Sequence, residues 1–153
     1  MRKGELRPNT KCAALPPQAY RGLPRSVSRY VRRHGYTIPQ ARGIRQHSVV
    51  RGRFDDDGRD DWAVLASRGG QTALLVFWRG SAAKVTRLAS HADFADRSIS
   101  VVGRQYILEH SRRYGAPKPP PIRHDAIDDA FLGKGSVVFY FDGTRWHKLQ
   151  GAD

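Results

Sequence analysis

Cysteine is nearly absent from this sequence: Cys12 stands alone, so no disulfide can form within the chain. Long apolar runs are missing too. The longest, Ala73 to Trp78, falls far short of the ~18 residues of a membrane-spanning helix, so no transmembrane segment is expected. Met1-Arg2-Lys3 is basic, but Gly4 to Leu15 holds no apolar core of ~7 residues, so no signal peptide is expected. That leaves a cytoplasmic protein, or a sequence beginning after or inside a trimmed leader. Glutamate is scarce, with only Glu5 and Glu109, which limits carboxylate acid–base chemistry. No Gly-x-Ser-x-Gly elbow occurs, the histidines show no metal-ligand spacing, and Cys12 has no evident histidine partner. Gly133-Lys134-Gly135-Ser136 lacks the upstream glycine of a phosphate loop and precedes a strand pattern. No catalytic residue is nominated.

What is present is positive charge. The 27 Lys+Arg against 14 Asp+Glu give +13, with arginine far ahead of lysine. Such a balance favours an anionic partner, whether nucleic acid, acidic lipid or acidic polysaccharide. The arginines run from Arg2 to Arg145 without a block of five or more, so a merely basic solvated surface is the competing expectation. At 153 residues, with 39% hydrophobic residues and three tryptophans, the chain suits one domain with a real core.

Residues 1–23 carry Pro8, Pro16 and Pro17 and read as an extended Pro-rich N-terminal arm; residues 24–153 read as a single domain. Pro24 suits a helix start. Val27, Tyr30, Val31 and His34 then share one face, Arg25, Arg29, Arg32 and Arg33 take the others, and Gly35 is the expected stop. Ile44 to Arg51 is expected as a short strand. Trp62 to Ser67 and Thr72 to Trp78 have strand length and composition, and Arg68-Gly69-Gly70-Gln71 between them predicts a hairpin. Lys84 to Leu88 is a half-exposed strand candidate, His91 to Asp96 a loop or single helical turn, and Ile99 to Val102 a further strand. Arg104 to Tyr114 has helical spacing with Gly115 as the stop. Pro117 and Pro119 to Pro121 force an extended strap. Asp125 to Leu132 fits either a strand or one to two helical turns. Ser136 to Phe141, the Asp142-Gly143 turn and Arg145 to Leu149 predict a closing hairpin. The expected class is α+β: an antiparallel β-meander sheet of five to seven strands with two covering helices.

The densest polar stretch is Gly52-Arg53-Phe54-Asp55-Asp56-Asp57-Gly58-Arg59-Asp60-Asp61, followed by Trp62-Ala63-Val64-Leu65. It resembles the calcium loop of FG-GAP and VCBS-type repeats, found in integrin-like propeller blades and in small bacterial single-repeat proteins. Such a loop sets oxygen ligands at alternate positions around a hard cation, with a glycine at the sharp bend. Taking Gly58 as that glycine, the resemblance implies Asp55, Asp57, the Arg59 carbonyl and Asp61 as metal ligands, with calcium as the cofactor. It also implies a non-enzymatic binding or structural module, often exported to the bacterial cell envelope.

Arg53 departs from the pattern, because it stands where the first carboxylate should be. Three states are open for the loop: weak calcium binding, an exposed turn, or an ion replaced by the Arg53 guanidinium bridging to Asp55, Asp57 and Asp61. The third is expected, since a guanidinium holds carboxylates in bidentate geometry with a fixed charge. Two alternatives to the module reading are a nucleic-acid-binding protein using its basic surface and a metal-dependent hydrolase centred on His124, Asp125 and Asp129. The competing reading of that last cluster is a polar turn with Asp as a helix cap.

Overall fold

The computed structural model describes residues 20, 22–39, 47–93 and 96–153, and the backbone of residues 14–15. Cys12, most of the N-terminal arm and residues 44–46 lie outside them. Among the described residues the fold is α+β, with two α-helices and two four-stranded antiparallel sheets. The strands are β1 (Ala14–Leu15), β2 (Ile38–Pro39), β3 (Val49–Gly52), β4 (Asp61–Arg68), β5 (Gln71–Phe77), β6 (Val85–Ala92), β7 (Arg97–Val102), β8 (Ala126–Phe131), β9 (Gly135–Phe141) and β10 (Trp146–Gln150). The helices are α1 (Arg25–Arg33) and α2 (Arg104–Arg113). One sheet has the order β3-β4-β5-β6, the other β10-β9-β8-β7, and β1 pairs with β2 as a small ribbon. Eight strands in two sheets replace the single sheet of five to seven expected. Among the described residues, no helix is long and apolar enough to cross a membrane.

The layers follow from which side chains each strand buries. On β4 and β5, Val64, Ala66, Ala73, Leu75 and Phe77 pack with Val27 and Val31 of α1. Their alternate neighbours Ala63, Leu65, Leu74 and Val76 pack against Ile99, Ile127 and Phe139 of the second sheet. On the far side of that sheet, Ala126, Val138 and Tyr140 meet Ile107 of α2. The order is therefore helix, sheet, sheet, helix. Strands covered on both faces have no polar alternation to display, which is why β4 and β5 read as unbroken apolar runs.

Both helices end in the same way. Gly35 and Gly115 take φ of +70° and +61°, and the amides of Tyr36 and Ala116 reach back to the carbonyls of Val31 and Ser111. This closes a Schellman turn, which the left-handed glycine permits. The sequence-based face of α1 needs one correction: His34 lies just past the helix end, is exposed, and stacks on Tyr30 at 3.9 Å. Pro24 precedes α1 as its cap, one position earlier than expected.

Asp125 to Leu132 resolves as β8. Its two consecutive buried carboxylates obscured the strand pattern, and each is explained by its face. Asp129 points between the sheets, where Arg97 holds it through Nε and Nη2 at 2.9 and 2.8 Å. The same guanidinium donates to the Thr72 carbonyl of the opposite sheet at 2.9 Å. Asp128 points the other way, towards α2.

Candidate functional site

The acidic loop spans residues 53–60, between β3 and β4. Its floor is Phe54, fully buried, and Gly52 makes room for it: a Cβ at Gly52 would stand 2.7 Å from the Phe54 ring. The turn folds through its own carboxylates. Asp55 Oδ1 accepts the Asp57 amide at 3.1 Å, and Asp57 Oδ1 accepts the Arg59 amide at 2.7 Å. Gly58 follows with φ +72°.

Asp61 closes the loop from the first position of β4 and is fully buried. Oδ2 accepts the Phe54 amide at 2.9 Å, and Oδ1 accepts the Arg79 amide at 2.8 Å. Burial pushes its carboxyl above the ordinary carboxylate range, and the two amides oppose that rise. Arg79 belongs to the tight turn Trp78–Gly80 that leaves β5 and has φ +57°, the single positive φ outside glycine among the described residues. A left-handed arginine costs roughly 1–2 kcal/mol, and the Asp61 carboxylate anchors its amide there. The Arg79 side chain then turns over the loop, and Nε donates to Asp57 Oδ2 at 2.8 Å. The Arg59 amide and the Arg79 guanidinium together hold the Asp57 carboxyl below its ordinary value.

The expected role of Arg53 is therefore corrected. Its guanidinium is 62% exposed and stands 3.6 Å from Asp60, an acid it shares with Arg51 at 3.7 Å. The cation against the loop comes from Arg79 instead, 26 residues further on. Sequence spacing pointed to Arg53 because it occupies a ligand position; the hairpin that returns Arg79 to the loop has no local signature. Arg79-Gly80-Ser81 has the composition of a turn, which marks a chain reversal but not what it returns to.

Of the residues implied as metal ligands, Asp55, Asp57 and Asp61 surround the turn, and five of their six carboxylate oxygens accept bonds from the chain. Arg59 is exposed, and its amide faces Asp57. Among the described residues, no three His, Cys, Asp or Glu side chains form a set able to hold a metal ion. Both Asp57 oxygens, both Asp61 oxygens and Asp55 Oδ1 accept bonds from the chain itself.

His124 and Asp125 come up against this loop. The Arg53 amide donates to Asp125 Oδ2 at 2.9 Å, and the Asp125 amide returns a bond to the Arg53 carbonyl at 3.0 Å. His124 stacks on Tyr140 at 4.7 Å. Arg53, Asp55, Asp56, Gly58, Arg123, His124 and Asp125 line a shallow cleft of about 250 Å³. The expected grouping of His124, Asp125 and Asp129 is not formed. Asp129 is engaged by Arg97 between the sheets, because adjacent strand positions send it to the opposite face from Asp128, and Asp125 serves as a backbone brace.

No family model matches the chain, and neither the curated proteins nor the solved structures include a match to it.

A second polar group lies between β8, β9 and the C-terminal residues. Asp128 is 6% exposed, and its Oδ1 makes no well-aligned hydrogen bond, although the Ser136 hydroxyl is near. Gly151 covers it: a Cβ there would lie 2.1 Å from Ser136 Oγ and 2.9 Å from Asp128 Oδ1. Burial raises the Asp128 carboxyl above its ordinary value, against the opposing hydroxyl of Ser136. A carboxyl raised on folding stabilises the protein below its unfolded pKa, and that advantage is lost as pH rises through the folded value. Asp128→Asn, which removes the charge that burial penalises, is accordingly expected to stabilise the protein at pH 7. At pH 3 the gain should vanish. Denaturant unfolding at both values checks this, and an equal effect at the two pH values would contradict it.

Proposed function

We propose that this chain is a non-enzymatic binding or structural module that takes an anionic partner on its basic surface, with the acidic loop as an internal strut. The observation carrying this reading is the segregation of charge. Residues 1–54 hold 13 of the 27 lysines and arginines but only one of the 14 acids, Glu5. The positive balance is thus not spread along the chain: nearly all of it belongs to the first third, and the remainder is close to neutral. A surface needing only solubility has no reason to be so one-sided, whereas an anion-binding one does.

The loop supports the same reading. Its resemblance to FG-GAP and VCBS repeats suggests a module that binds or braces, in the setting of the bacterial cell envelope, and its carboxylates are engaged in holding β3, β4 and the Trp78–Gly80 turn together. Calcium, on this reading, is not required. Nucleic acid is the second reading, favoured by the arginine preference, because guanidinium matches phosphate in bidentate fashion.

Filter retention separates these from an inert basic surface. The full chain is expected to retain anionic polymers, tested with a labelled oligonucleotide and with heparin, at low salt and to release them steeply as salt rises. Absence of retention of both polymers at low salt would remove the proposal.

A further inference from the structure

The geometry points to the outer face of α1, extended by Arg68 and Arg87, as a docking surface for the phosphate backbone of a nucleic acid. This rests on reading the chain as an anion-binding module and names the face and the partner. Arg25, Arg29, Arg32 and Arg33 are all exposed and recur at intervals of three and four, so they form one stripe opposite the buried Val27 and Val31. At 1.5 Å per residue the stripe is about 12 Å long. The helix contains no acid. Among the described residues, no carboxylate lies within ion-pair distance of these four arginines, whereas Arg51, Arg53, Arg79, Arg97, Arg145 and His147 each have one.

The neighbouring sheet adds to the stripe. Arg68, from the β4–β5 hairpin, donates to the His34 carbonyl at 2.7 Å and lies over the Tyr36 ring at 4.6 Å. Arg87 of β6 donates to the Tyr36 hydroxyl at 2.9 Å. Both guanidiniums are thereby fixed beside the C-terminal end of α1, next to the exposed His34 stacked on Tyr30. Fixed arginines give up less side-chain freedom on binding than free ones.

Two features select a nucleic acid over the other anions. The apolar face of α1 is occupied by its own sheet, so the helix has none left to sink into a bilayer and would meet acidic lipid through charge alone. An acidic polysaccharide offers charge without π-faces, whereas the exposed His34, outermost on the Tyr30 ring, and the exposed Arg68 suit contact with unpaired bases. The partner that matches both parts is a single-stranded segment, with its phosphates along the stripe and bases at the His34 end.

The test uses the full chain and a labelled single-stranded 20-mer, followed by anisotropy across a salt series. The wild type should bind it more tightly than a duplex of the same length or vesicles of anionic lipid. The variant Arg25→Gln/Arg29→Gln/Arg32→Gln/Arg33→Gln should bind at least ~100-fold more weakly at low salt. Its slope of log affinity against log salt should be shallower by about 3, since each single-strand phosphate contact contributes roughly 0.7. The control Arg104→Gln/Arg112→Gln/Arg113→Gln removes exposed charge from α2 and should leave binding within about threefold. Melting temperatures show whether each variant is folded, and hydrogen exchange of wild-type α1 should slow when the 20-mer is added. Undiminished binding by the α1 variant, or no slowing in α1, would overturn the choice of face while leaving an anion-binding module. Preference for the vesicles or for heparin would overturn the choice of partner.

Discussion

Replacing Arg97 by methionine is expected to destabilise the protein by about 3–5 kcal/mol. Arg97 and Asp129 are each 2% exposed at the side chain, at 2.8 Å, in the space between the two sheets. Removing the guanidinium leaves a carboxylate in that space with no counter-charge and deprives the Thr72 carbonyl of its donor. The loss comes mainly from the abandoned partner, not from the attraction of the pair itself. The double variant Arg97→Met/Asp129→Leu should therefore recover most of the stability, because a buried ion pair replaced by apolar side chains is often neutral or better. Urea unfolding of the two single variants and the double one checks this. A single-variant loss below about 1 kcal/mol would contradict the burial described for this pair.

Asp61→Ala is expected to cost about 3 kcal/mol, from two amide bonds to a charged acceptor at roughly 1.5–3 kcal/mol each, offset in part by relief of its desolvation. The amides of Phe54 and Arg79 would lose their acceptor in a buried site. Arg79 would also lose the anchor that holds its left-handed backbone, and with it the position from which its guanidinium reaches Asp57. Asp61→Asn keeps one acceptor oxygen and should lose about half as much. The same unfolding measurement applies; equal losses for Ala and Asn would contradict this, because the oxygen that Asn retains can still accept one of the two amides.

Local features of the fold were largely legible in the residues. The helices announced themselves by apolar spacing and glycine stops at Gly35 and Gly115, and the Gly69-Gly70 hairpin by its turn residues. These signals act within a few residues of their cause. The division into two sheets was not legible, because nothing in a run such as Thr72 to Phe77 says that its second face meets another sheet instead of a helix. Nor was β8, where Asp128 and Asp129 look like a polar turn until Arg97 is brought across from β7.

The acidic loop shows the same limit. Asp55, Asp57 and Asp61 were recognisable from their alternate spacing, and a guanidinium beside them was a sound expectation chemically. Its source was not recoverable locally: Arg53 is adjacent in sequence yet faces Asp60, while Arg79 arrives by way of the β4–β5 hairpin. The segregation of charge was available from counting alone, and it gains meaning once α1 is seen to present four of those arginines to solvent.

Thermal unfolding of the wild type in millimolar calcium and in chelator tests most directly whether the chain closes its acidic loop with its own groups. A ligand that binds only the native state must raise the melting temperature. The expected result is the same midpoint in both, within about 1 °C; a rise of several degrees in calcium would show that an ion, and not Arg79, completes the loop.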